Sequence, residues 1–157
     1  MKRSLAAILI LVLMGLAPSD KSDQLTPATQ SVRFTYVDVR IDPHDKPLAA
    51  YQIEFVAGDP QRVKLVGVEG GSHPAFVDPP YYDPAALSHN RVILAAFNTG
   101  SALPKQSFRA ATLHLEVIGD AGETPKWSAK LIVASDSDGN SMPADVSVTR
   151  QTEGESR

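Results

Sequence analysis

Short runs of alternating apolar and polar residues recur from residue 32 to residue 148, separated by clusters of glycine, proline, aspartate and serine, and none is spaced as the apolar face of a long helix. Such runs are strands, and short strands bury an apolar side by stacking sheet on sheet. The best defined stretch is residues 48–71. Ala49, Tyr51, Ile53 and Phe55 alternate there with Ala50, Gln52, Glu54 and Val56, the period-2 pattern of a strand that buries one face. Gly58, Asp59 and Pro60 break it, and a second run, 63–68, ends in Glu69, Gly70 and Gly71. The short polar connection predicts a hairpin of two adjoining strands.

The other runs fill in the domain. In 32–41, Val37, Val39 and Ile41 share one face and Val32, Phe34 and Tyr36 the other, which calls for cover on both faces or a bulge near Tyr36. Residues 72–90 carry His73-Pro74, Pro79-Pro80 and Pro84, and so many prolines forbid a central strand. Asp83 followed by Pro84 can cap and start a single helical turn there. Residues 91–97 are almost continuously apolar, as expected of a strand buried on both faces or central in a sandwich. In 108–118, Arg109, Ala111, Leu113, Leu115 and Val117 share a face, with Ala110, Thr112, His114 and Glu116 opposite; Trp127, Ala129, Leu131 and Val133 form the next inward row. Val146 and Val148 mark a short last strand. The fold expected is an all-β, antiparallel β-sandwich of about seven to nine strands, jelly-roll-like and preceded by a signal segment.

Lys2 and Arg3 precede the apolar run 5–17, which is shorter than the ~20 residues a spanning helix needs. Residues 1–17 therefore read as a signal peptide, or as a membrane tether if Pro18 impedes cleavage. A polar linker, 18–30, leads to the sandwich at 31–149, and 150–157 is a polar tail. The chain is expected to be exported: periplasmic, cell-surface or extracellular. It has no cysteine, so disulfides, thiolate metal sites and cysteine nucleophiles are excluded. A net charge of −3, with interspersed signs, gives no basic footprint for nucleic acid.

The order of these features resembles the cohesin-like branch of the superfamily that joins carbohydrate-binding modules of types 2 and 3 with cohesins. The residues that carry the resemblance are Val37-Asp38-Val39, Tyr51-Gln52-Ile53-Glu54-Phe55, Val66-Gly67-Val68-Glu69-Gly70-Gly71, residues 91–97, residues 111–117 and Ala134-Ser135-Asp136-Ser137-Asp138-Gly139. The resemblance covers roughly 32–148. It implies a nine-strand jelly-roll-like sandwich in secreted or surface proteins, where cohesin members bind dockerin modules of other proteins and carbohydrate-binding members hold polysaccharides.

Chemistry is sparse. His44, His73, His89 and His114 include no pair at i, i+2 or i, i+4, so no two imidazoles meet a metal locally. Ser72 and His73 are adjacent and lack the Gly-x-Ser-x-Gly elbow, so they read as turn residues. Asp136, Asp138 and Asn140 begin like a calcium loop, but Gly139 comes too early for an EF-hand and Ser147 stands where its glutamate belongs. They are the candidate calcium ligands, although an Asp138-Gly139 turn accounts for them without metal. Tyr81 and Tyr82, framed by prolines, are the candidate ligand-binding residues, because aromatic faces stack on sugars or anchor protein interfaces. Trp127 shares parity with Leu131 and is expected in the core. The function expected is a non-catalytic, cohesin-like module that binds a protein partner; the alternative is polysaccharide binding through exposed loop tyrosines.

Overall fold

A computed structural model describes residues 31–119 and 125–150. The expected signal segment, the linker 18–30 and the tail after Arg150 lie outside the described residues. Seven strands follow in order: β1 (Val32–Asp42), β2 (Ala50–Ala57), β3 (Val63–Glu69), β4 (Arg91–Phe97), β5 (Phe108–Ile118), β6 (Trp127–Ser135) and β7 (Asp145–Arg150). They form two antiparallel sheets, one ordered β3-β5-β1-β7 and the other β4-β2-β6. The expected all-β sandwich is what the chain forms, with seven strands among the described residues. The odd strands make one sheet and the even strands the other, so every connection crosses the sandwich.

That crossing corrects the hairpin expected in residues 48–71. β2 pairs with β4 and β6, whereas β3 pairs with β5 in the opposite sheet. The polar connection is an arch between layers. Alternation within a strand fixes which side chains point inward, but carries no information about which sheet the next strand joins. Inward burial itself follows the pattern: Tyr51, Ile53, Phe55 and Ala57 are all buried, and each of the larger three contributes about 1.5–3 kcal/mol of transfer free energy. They meet Val37, Val39 and Ile41 of β1, and Leu113, Leu115 and Val117 of β5, in one core.

Three bulges change the expected parities. Val39 faces Ala111 but Arg40 faces Arg109, which leaves Ala110 as an extra residue of β5. The bulge thus lies opposite Val39/Arg40, not near Tyr36, and Val32 and Phe34 remain exposed. It also turns both Ala110 and Ala111 inward while Arg109 leaves the dry face. On β6, Gln52 faces Val133 and Ile53 faces Leu131, so Ile132 is extra. Leu131 packs on the core, Ile132 and Val133 are both exposed, and Ala134 is buried in the place foreseen for Val133. The third bulge is Val66, between Leu65 and Gly67 of β3. Trp127 is half-buried and packs on the core.

β4 also departs from expectation. It is an edge strand, with Val92 and Leu94 buried and Phe97 exposed. Its continuous apolar run serves two sides unequally: the even residues face the core and the odd ones an outer surface.

Residues 72–90 close one flank of the sandwich. Gly70 and Gly71 permit their close approach, since a Cβ on Gly70 would lie 1.8 Å from the Val77 carbonyl oxygen and one on Gly71 2.5 Å from that of Arg109. Two short 3₁₀ turns follow, Pro74–Phe76 and Pro84–Ala86. Asp83 caps the second as expected, its carboxylate accepting from the Ala85 N–H at 2.9 Å. Between them Tyr81 pairs with Ala95 at the outer edge of β4, and further on Ser88 and His89 pair with Leu65 of β3. The prolines keep this segment from becoming a full strand.

Tyr51 ties the two sheets together. Its hydroxyl donates to the carbonyl of the bulge residue Ala110, 3.2 Å away in the opposite layer. Its ring meets Phe76 edge-on at 5.2 Å. Burial pushes the phenol well above its ordinary value, so the proton stays in place.

Candidate functional site

The outer face of the three-stranded sheet is built by the odd residues of β4, the even residues of β2 and the solvent side of β6. Register sets Ser135, Ala50 and Phe97 in one row, Val133, Gln52 and Ala95 in the next, and Lys130, Glu54 and Ile93 in a third. Tyr81 extends the second row. Its N–H donates to the Ala95 carbonyl at 2.7 Å and its carbonyl accepts from the Ala95 N–H at 2.9 Å. Residues directly opposed in such a bridge share a face, so Tyr81 points outward beside Phe97 and Tyr82 points inward. Tyr81 is 71% exposed and Phe97 65% exposed, whereas Tyr82 packs on the core. The Tyr81 and Phe97 rings lie 6.2 Å apart and within 12° of parallel.

The candidate pair Tyr81 and Tyr82 is therefore divided, and the partner of Tyr81 is Phe97. The signal for Phe97 was available in the chain: it shares parity with Arg91, Ile93 and Ala95, and one-sided burial of this strand sends all four outward. Ile132 and Val133, both exposed, add apolar surface across the sheet. The polar residues among them are Gln52, Lys130 and the Glu54–Arg91 pair, in which the Arg91 guanidinium donates to the carboxylate.

The outer face of the four-stranded sheet is of another kind. Glu69, Thr112 and Asp38 fall in one row, and Gly67, His114 and Tyr36 in the next. Asp38 is only 3% exposed, and the Thr112 hydroxyl donates to its carboxylate at 2.7 Å. His114 Nε2 is 2.7 Å from the Glu69 carboxylate, and its ring lies 6.1 Å from that of Tyr36. The groups surround a shallow depression of about 230 Å³. A carboxylate, a hydroxyl and an imidazole meet there beside Arg109, with the Thr112 hydroxyl committed to the Asp38 carboxylate and His114 to Glu69.

The remaining candidates are engaged in local structure. The Ser72 hydroxyl accepts from the Arg109 N–H at 3.1 Å, and His73 Nδ1 accepts from the Ala75 N–H at 3.2 Å, so both serve the turn. His44 Nε2 lies 3.2 Å from the Asp145 carboxylate, linking the β1–β2 turn to β7, and His89 Nδ1 lies 2.9 Å from the Ala85 carbonyl. Asp136 turns its carboxylate onto its own loop, accepting from the N–H groups of Asn140 at 2.9 Å and Asp138 at 3.0 Å and from the Asn140 side-chain amide. Those bonds, the Asn140 N–H foremost, hold Asp136 below its ordinary carboxylate value. Its oxygens accept from these three donors of its own loop. Gly139, at φ 81°, completes the tight turn. Among the described residues no three of histidine, aspartate and glutamate cluster so as to hold a metal ion.

Against known proteins, the sequence matches no family model, no curated protein and no solved structure.

Proposed function

We propose that this chain is an exported, non-catalytic interaction module of the cohesin-like kind, which binds a protein partner through the outer face of its three-stranded sheet. One observation carries the reading: large apolar side chains are exposed at both edges of the three-stranded sheet, Tyr81 and Phe97 along β4 and Ile132 and Val133 on β6. Aromatic residues ringed by polar groups are the usual anchors of protein interfaces, and large exposed apolar patches mark binding surfaces. Gln52 and Glu54 of the central strand, with Lys130 and Arg91 to either side, supply polar groups between them. Export rests on residues 1–17, and mass spectrometry of chain recovered from outside the cytoplasm reads whether they have been removed.

The immobilised chain is offered an extract of envelope and secreted proteins. A specific partner should be retained by the wild type and by a Tyr82→Phe control, and lost with Tyr81→Ser combined with Phe97→Ser. Equal retention by the double variant overturns the reading.

A second reading, polysaccharide binding, is favoured by the near-parallel Tyr81 and Phe97 rings, since sugar rings stack on such faces. It predicts retention on an insoluble polysaccharide that the same double variant abolishes. Absence of retention on cellulose, chitin and xylan alike removes it.

A further inference from the structure

We infer that the free edge of β4 at Ile93 accepts an extended segment of a partner protein as an added strand, seated in the groove between β4 and the 3₁₀ turn Pro84–Ala86. The inference rests on the interaction-module reading and names the form its partner takes. In β4 the even residues exchange backbone bonds with β2, as the flanking bonds from Asn98 N–H to the Ala49 carbonyl and from Ala57 N–H to the Asn90 carbonyl continue to do. The odd residues present N–H and C=O to the other side. Ala95 uses both of its groups on Tyr81. Two residues away, Ile93 points its pair in the same direction, and among the described residues no backbone group meets them.

The chain's own segment is unable to continue the ladder. Antiparallel pairing beyond Tyr81 and Ala95 would bring residue 83 opposite Ile93, but Pro84 opens a 3₁₀ turn that lifts the chain off the edge. The space left is a groove of about 410 Å³, lined by Asp83, Ala85, His89, Arg91 and Ile93. Its polar side chains already have partners: Asp83 caps Ala85, His89 meets the Ala85 carbonyl, and Arg91 bonds Glu54. Each of these side chains is held in place by that bond, and the outward N–H and C=O of Ile93 and Arg91 face the groove with no backbone partner among the described residues. A peptide in extended form carries the backbone complement of those groups at strand spacing, which a glycan does not. A strand placed there also brings its outward side chains beside Tyr81.

Heptapeptides from a random displayed library are selected on the full chain. Binding of a selected peptide should slow hydrogen exchange of the Ile93 amide, and N-methylation of one peptide amide should weaken binding by at least about tenfold. Ile93→Pro removes the outward N–H and leaves the β2 ladder intact, a substitution that edge strands tolerate; it should weaken the same peptides to a similar degree. A library that yields no binder, unchanged exchange at Ile93 in the bound wild type, or protection of Ile93 by a soluble oligosaccharide instead overturns the inference. Peptides that ignore Ile93→Pro but are lost with Tyr81→Ser and Phe97→Ser overturn it while leaving the face reading standing. The exchange measurement on the wild type decides the question even if the proline variant does not fold.

Discussion

The two outer faces of this sandwich are made by the same rule and end in opposite states. On the four-stranded sheet, outward side chains turn to one another: Thr112 to Asp38, His114 to Glu69 and Tyr36, Lys64 toward Glu116. On the three-stranded sheet, Tyr81, Phe97, Ile132 and Val133 are left to solvent. The first face pairs most of its polar groups at its centre, although the buried Nε of Arg109 beside them has no partner among the described residues and Val32, Phe34 and Val66 stay exposed. The second holds apolar area that nothing in the described chain covers. Paired polar side chains tie a sheet's surface to itself, whereas exposed apolar ones add nothing to the fold's bonding.

The contrast breaks most decisively at Asp38. Asp38→Ala removes the acceptor of the buried Thr112 hydroxyl and should destabilise the fold by about 1–3 kcal/mol in urea unfolding; a change within about 0.5 kcal/mol would mean that the first face is no more structural than the second. Next comes Tyr51→Phe, which cuts the bond between layers and should cost about 1 kcal/mol near neutral pH. The sign with pH follows from the raised phenol value. The Tyr51 contribution is fully present below about pH 10, the ordinary tyrosine value, and is lost as pH climbs toward the higher native value, because only the unfolded chain releases the proton readily. Wild type should lose stability through that alkaline window more steeply than Tyr51→Phe, and parallel curves would remove Tyr51 as a buried tie.

Smaller effects sharpen the comparison. Glu69→Gln weakens an exposed pair and should cost no more than about 1 kcal/mol, less at high salt; a greater loss would make His114 and Glu69 part of the fold's essential bonding. The smallest change in stability is expected for Tyr81→Ser with Phe97→Ser, within about 0.5 kcal/mol of wild type, together with loss of the retained partner. A large drop in melting temperature for that pair would show that the aromatic rings support the fold instead of waiting for a ligand.

Much of the fold was legible because alternation in β2 and β5 states which residues turn inward. The limits were set by pairing. Ala110, Ile132 and Val66 are single extra residues whose positions depend on the partner strand, and each shifts parity in a way that one strand's sequence does not record. The hairpin expected after Ala57 failed for a related reason, since a polar turn connects strands in one layer or across two with similar composition. At the candidate site, Tyr81 was legible from its proline frame. Phe97 carried a signal in its parity with Arg91, Ile93 and Ala95, but the uninterrupted apolar run of an edge strand with a half-covered outer side masked it.

The alternation of odd and even strands between the layers also governs when the fold can form. No two strands adjacent in sequence are neighbours in a sheet. β1 lies between β5 and β7, and Val32 waits for Ile118 before it has a partner. Sheet pairing is thereby made non-local from the start, so folding should be slow and concerted. A chain synthesised from its amino end therefore forms no hairpin between consecutive strands, and its first sheet pairing, β2 with β4, has to wait for residues 91–97.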